Sequence, residues 1–169
     1  MRKLFILAAL IILNSSSLFA QAEMVQKNIL NDSISLLLPA GFHVWEDKNY
    51  LQAGFFTDPS GDALLSYRFD TDSITDNEIP AYTDIMLKQA KLDNRDYKYI
   101  DDGIHLQDGK NIGYIKYSTK NDGRKAFNSV FYISYGDKAL LFHFTCPLRQ
   151  RKKWEADIDA IANSLRIKQ

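Results

Sequence analysis

The chain has 169 residues, of which 46% are hydrophobic, 12% aromatic and 25% charged, a composition that excludes a disordered or collagen-like polymer and suits one globular domain. Basic and acidic side chains balance at 21 each, so no positive surplus favours a phosphate backbone and nucleic acid is not an expected partner. One Cys and three His, widely separated, are too few for a zinc ribbon, a haem motif or a disulfide framework, so neither metal nor cofactor is expected.

Arg2 and Lys3 precede the apolar run Leu4 to Leu13, a polar stretch Asn14 to Ser17 follows, and small residues stand at Ala20 and Ala22. This is the layout of a secretory signal peptide, with cleavage after Ala20 or Ala22, so residues 1–22 are read as a leader and 23–169 as a single domain. The apolar run is about half the roughly 20 residues that span a bilayer, and no transmembrane anchor is expected after processing. No Cys lies near either cleavage site, which excludes a lipoprotein anchor. Loss of Arg2 and Lys3 leaves 19 basic against 21 acidic side chains, and the expected destination is the periplasm or the cell exterior. In such a compartment the lone Cys146 has no internal disulfide partner; between Phe144 and Pro147 it reads as a buried small hydrophobe.

Ile34 to Leu38, closed by Pro39-Ala40-Gly41, predicts a strand, and Tyr50 to Thr57 and Ala63 to Phe69 predict a hairpin about Asp58-Pro59-Ser60-Gly61-Asp62. Asp76-Asn77-Glu78 supplies caps and Pro80 a first-turn residue for a helix over Ile79–Leu92, whose apolar face is Ile79, Tyr82, Ile85, Met86 and Ala90. Tyr97 to Asp101 reads as a strand, Asp101-Asp102-Gly103 as a second tight turn, and Asp108-Gly109 as another. Asn111–Thr119, Lys125–Tyr135 and Lys138–Cys146 form an antiparallel meander. A two-residue Gly136-Asp137 loop sets Ile133 opposite Leu140, Phe131 opposite Phe142 and Ser129 opposite Phe144. For the preceding hairpin, a two-residue Asp122-Gly123 loop would oppose Tyr117 to Asn128; the preferred three-residue loop opposes Tyr117 to Phe127 and Ile115 to Ser129. Trp154, Ile158, Ile161 and Leu165 recur at helical spacing, predicting an amphipathic helix from about Gln150 to Arg166. The fold class is therefore α+β: an antiparallel β-sheet meander flanked by two amphipathic helices.

An apolar strand ending in Leu36-Leu37-Leu38-Pro39-Ala40-Gly41-Phe42, a central helix, a long meander, Phe144-Thr145-Cys146-Pro147, a helix opened by Trp154 and a closing Asn163-Ser164-Leu165-Arg166-Ile167 resemble the PsbP-like fold superfamily over nearly the whole chain beyond the leader. That superfamily includes the extrinsic photosystem subunit PsbP, a Ran-binding nuclear import factor, DcrB-type bacterial envelope proteins and the Eag chaperones of type VI secretion effectors. The resemblance implies an antiparallel sheet flanked by helices and a habit of binding other proteins. It brings no catalytic motif.

His143 and Cys146 suggest a nucleophile pair, but side chains three apart on a strand point to opposite faces. Asp70-x-Asp72 with Asp76 lacks the Gly and Glu of a calcium loop, and His43, His105 and His143 lack zinc spacing. No catalytic residue and no metal ligand is assigned. Arg151, Lys152 and Lys153, with Arg149, open the last helix where the macrodipole prefers acids, a solvated face or an anionic contact. The preferred registers place Tyr114, Val130 and His143 in one row of the second sheet face and Tyr132 beside Leu141 in the next. That face is expected to lie under one of the helices; left open, it is a partner site. The candidate partner-binding residues are thus Tyr114, Tyr132, His143, Arg151, Lys152 and Lys153. The expected function is an exported, non-enzymatic protein-binding module of the bacterial envelope, with an immunity-type inhibitor of a secreted toxin as its finer form. The alternatives are a small-ligand carrier with an apolar pocket and a small hydrolase using scattered carboxylates or His143.

Overall fold

A computed structural model describes residues 23–45, 53–121 and 123–168; the predicted leader and its cleavage sites lie outside them. The described strands are β1 (Met24–Ile29), β2 (Ile34–Pro39), β3 (His43–Trp45), β4 (Ala53–Thr57), β5 (Leu64–Ser73), β6 (Lys98–Gln107), β7 (Lys110–Asn121), β8 (Arg124–Tyr135), β9 (Lys138–Pro147) and β10 (Arg166–Ile167). The helices are α1 (Ile79–Asp93), between β5 and β6, and α2 (Arg151–Asn163), between β9 and β10. Seven strands form one antiparallel sheet in the order β3-β4-β5-β9-β8-β7-β6, and β1-β2-β10 form a second. The class is α+β, as the periodicities require.

Strand β8 is buried along most of its length because both faces of the large sheet are covered. On one face Phe127, Phe131 and Ile133 join Phe142, Phe144 and Cys146 of β9, Ile34, Leu36 and Leu38 of β2, and Trp154, Ile158 and Ile161 of α2 in the main core. On the other, Val130, Tyr132, Leu141, Ile115 and Tyr117 pack beneath α1 through Ile79, Tyr82 and Ala90. The expected cover of the second face is therefore α1.

The β8–β9 register is the predicted one, with Ile133 opposite Leu140, Phe131 opposite Phe142 and Ser129 opposite Phe144. The β7–β8 register is not. Tyr117 faces Asn128 and Ile115 faces Val130, the register expected of the two-residue alternative, of which Asp122 lies outside the described residues. Asp-Gly suits such a loop, and this pairing puts Ile115 under α1 and Ile112 in the main core; a one-residue slip would reverse both. Tyr114 consequently sits opposite Phe131 on the α2 side, not in a row with Val130 and His143.

Four further readings are corrected. Asp101-Asp102-Gly103 is not a turn: β6 runs unbroken in its ladder with β7, shifting register between Tyr99 and Asp101, and Gly103 lies beneath the Tyr114 ring. Turn chemistry there yields to nine cross-strand pairs with β7. Helix α2 ends at Asn163, because Ser164 Oγ donates to the Ile161 carbonyl and accepts the Leu37 amide, turning the chain so that β10 pairs with β2. In α1, Ile85 is 52% exposed and does not reach the sheet. The first turn also differs from the cap expected there. Glu78 accepts from the Thr75 amide and hydroxyl, while Asp76 accepts from the amide and side chain of Asn111 and so ties the start of α1 to β7.

Candidate functional site

The six sequence candidates are scattered over four environments. Tyr132 is fully buried, its hydroxyl donating to Thr83 Oγ1 at 2.7 Å and its ring edge-on to Tyr82 at 5.2 Å. It seats α1 and presents nothing to a partner. Arg151 forms a two-pronged contact with Glu155 at 3.1 and 2.8 Å and lies over the Phe127 ring, and Lys153 sits 4.3 Å from the Trp154 ring centroid. Lys152, between them, is exposed. The i,i+4 pair to Glu155 supplies the negative charge that the first turn of α2 otherwise lacks.

His143 lines a groove on the α1 side. Helix α1 packs mainly on the β6–β7 half of the sheet, with the outward side of β5 beside it. Between them lies an open trough of about 420 Å³, with Ile115, Val130 and Leu141 in its floor, Met86 and Gln89 on the helix wall, and Arg68 and His143 opposite. Strand alternation builds the far wall: Ser66, Arg68, Asp70 and Asp72 share one side of β5, while Leu65 turns into the core. Tyr82 donates to Asp70 Oδ2, so ionised Asp70 is held at the end of the trough where α1 begins. Asp93 and Asn94 stand at the other end. Exposed Ile85 overhangs the middle.

His143 Nε2 donates to Asn128 Oδ1 at 3.1 Å, because the Asn128 amide nitrogen is committed to Thr119 Oγ1. Burial, helped by the Arg68 charge, pushes its pKa below the ordinary imidazole value. Neutral His143 has no carboxylate partner, and Cys146, three residues on, lies in the core on the opposite face. Burial pushes that thiol up to about 12, the reverse of an activated nucleophile.

Tyr114 belongs to a second, smaller cleft of about 310 Å³ between α2 and the β6–β7 hairpin. Lys116, with its side chain only 8% exposed, meets Asp159 at 2.7 Å and lies over the Tyr114 ring, whose hydroxyl donates to Asp101 Oδ2. His105 Nε2 is buried there without a hydrogen-bond partner, and burial lowers the His105 pKa. Among the described residues no three His, Cys, Asp or Glu side chains converge as a metal set.

The two depressed histidines give the fold an acid-side weakness. Each binds fewer protons folded than unfolded, so stability is flat above the free-histidine value of about 6.5 and falls as pH drops through it. Asp58 and Asp70, held below the usual carboxylate range once their hydrogen bonds outweigh burial, extend the loss at lower pH, below about 4. Thermal unfolding midpoints should therefore decline between about pH 7 and 5, and His143→Gln should flatten that decline; a midpoint constant over this window in the unmutated protein refutes the assignment.

No protein-family model and no curated protein sequence matches the chain. Solved structures do. Cyanobacterial PsbP (CyanoP) from Synechocystis sp. PCC 6803 superposes with a TM-score of 0.62 at 15% identity, over 92% of this chain and 99% of that one. The chain has the PsbP-like fold. LpqN, involved in cell envelope biogenesis of Mycobacterium tuberculosis, superposes with a TM-score of 0.59 at 13% identity over 87% of this chain and 91% of its own. The T6SS immunity protein TplEi of Pseudomonas aeruginosa matches 68% of this chain at a TM-score of 0.51 and 13% identity, the match spanning 43% of that protein. At these identities the shared property is the fold, and the trough residues carry the functional argument.

Sequence reasoning singled out His143, weighed Asp70 and Asp72 only as part of a calcium loop, and missed Arg68 and Asp93. The signal for three of them was present. From Leu65 to Asp70 apolar and polar residues alternate, and Ser66, Arg68, Asp70 and, two on, Asp72 mark one face of a strand longer than the predicted one.

Proposed function

We propose that this chain is an exported, non-enzymatic protein-binding module of the bacterial envelope, and that it receives its partner in the trough beside α1. The observation that carries this reading is the trough of about 420 Å³ beside α1, rimmed by Arg68, Asp70, Asp72 and Asp93, with exposed Ile85 and half-buried Met86 on its helix wall. Apolar side chains set within a charged rim are the make-up of many interaction sites. Two structural neighbours lend support, one a protein of envelope biogenesis and one a T6SS immunity protein. The finer reading is an immunity-type inhibitor that occupies a secreted toxin.

The test is site-specific photocrosslinking in intact cells. A benzoylphenylalanine side chain at position 85 should give a discrete protein adduct that Arg68→Glu abolishes. The same group at position 92, on the solvent side of α1, should give none. Equal labelling from both positions, or none from position 85, would refute the trough as the docking site.

A further inference from the structure

Strand β6 is the long open edge of the large sheet. It runs ten residues, pairs with β7 on one side and has no strand on the other among the described residues, whereas the opposite edge is the three-residue β3. Alternate residues of such an edge turn their backbone N–H and C=O outward, a template for another strand unless proline, charge or a covering element blocks it. Strand β6 carries no proline, and three of its side chains stand in solvent, Tyr99 at 57%, Ile104 at 40% and Leu106 at 70% exposure. Pairing with β7 fixes the faces. Tyr99, Asp102, Ile104 and Leu106 oppose Tyr117, Ile115, Gly113 and Asn111 on the α1 side; Asp101, Gly103 and His105 oppose Lys116, Tyr114 and Ile112 on the α2 side, and Ile100 is the unpaired residue of the bulge. On that second side His105 Nε2 is buried without a hydrogen-bond partner in its own chain.

We propose that β6 pairs antiparallel with β6 of a second copy about a twofold axis at Gly103, joining the large sheets of the two chains. With Gly103 opposite itself, Asp101 faces His105, Asp102 faces Ile104 and, past the bulge, Tyr99 faces Leu106 and Lys98 faces Gln107, each pair occurring twice. Exposed Tyr99 and Leu106 then cover one another, a ring against an aliphatic chain. Asp101 of the second copy stands opposite His105, with Cβ atoms about 5 Å apart, and offers an acceptor to the imidazole that lacks a partner within the chain. Asp101 accepts from the Tyr114 hydroxyl at 3.3 Å, and a carboxylate has lone pairs for more than one donor. The charges on β6 repel most other registers and admit this one. A slip of two residues in one direction sets Asp102 against itself; in the other it sets Leu106 against Asp102 and His105 against glycine. A slip of one turns each apolar side chain to the wrong face. The strand is complementary to itself, as a twofold contact requires.

Sedimentation velocity of the purified chain should show a monomer–dimer equilibrium, the dimer fraction rising with concentration. Leu106→Glu alters an exposed side chain and should keep the unfolding midpoint. It should weaken the dimer roughly three- to thirtyfold, because both copies lose the Tyr99 contact and gain a carboxylate diagonal to Asp102. Mild oxidation reads the register. An equimolar mixture of Tyr99→Cys and Leu106→Cys chains should give a disulfide-linked dimer, since the two positions are opposed; Leu106→Cys alone should not, its two copies lying about 20 Å apart at 3.3 Å per residue. Native Cys146 is buried and does not compete. A chain that stays monomeric at every concentration would overturn the proposal and leave the edge to a strand of another protein. A dimer that Leu106→Glu leaves intact, or one that links Leu106→Cys to itself as readily as the mixture links, would overturn it as well. None of these outcomes alters the adduct expected from position 85, so the two proposals stand or fall separately.

Discussion

Replacing Trp154 with alanine is expected to lower stability by about 3–5 kcal/mol, the range for removing a large aromatic from a packed interior. Trp154 is 5% exposed and closes the corner where α2, the β2–β3 connection and β9 meet. Its ring stands edge-on to Phe42 at 5.6 Å and tilted against Phe144 at 6.0 Å, and its Nε1 donates to Gln150 Oε1 at 3.1 Å. Lys153 covers the outer ring face. The loss is more than that of one side chain, because the collapsed site would leave Phe42 and Phe144 without their shared neighbour. Denaturant unfolding checks the magnitude. A variant with an unaltered midpoint would show that Trp154 is not a core anchor and would reverse the orientation of α2.

How much of this was legible in the sequence depends on the range of the interaction that decides each element. The β8–β9 hairpin and α2 were legible because their apolar periods are strong and local: Phe131, Ile133, Leu140 and Phe142 alternate, and Trp154, Ile158, Ile161 and Leu165 repeat on one helical face. Strand β1 was not. Met24-Val25-Gln26-Lys27-Asn28-Ile29 is an edge strand without apolar alternation, and its link to β2 turns through Leu30, Asn31 and Asp32, all at positive φ with no glycine to announce it. The Asp101-Asp102-Gly103 turn failed for the opposite reason, a strong local signal overridden by a long ladder with β7. By contrast Asp108-Gly109, with φ of 50° and 75°, forms the turn its residues favour. The trough was the least legible part. It exists because β5 pairs with β9, which places Arg68 opposite Leu141 and Ser66 opposite His143, and because α1 stops short of them. No periodicity within either segment encodes a pairing between strands so far apart in the chain.

Gly113→Ala is expected to destabilise the protein by about 1–3 kcal/mol, the usual cost of overpacking, and to do so through the seat of α1. Gly113 pairs with Tyr132 across β7 and β8, and a Cβ at position 113 would lie 2.3 Å from Tyr132 Cε2, 2.7 Å from its Cζ and 3.0 Å from Thr83 Oγ1. None of these atoms has room to retreat. The Tyr132 ring is fully buried against Tyr82, its hydroxyl is tied to Thr83, and Thr83 Oγ1 donates to the Ile79 carbonyl within α1. The added methyl must therefore lift α1 or force Tyr132 off its rotamer, and either change moves Met86 and the helix wall of the trough. The loss in stability should be strongly coupled to Tyr132→Leu, which removes the ring atoms that meet the methyl; Gly113→Ala made in that background should cost little more than Tyr132→Leu alone, whereas additive costs would show that the clash is relieved elsewhere.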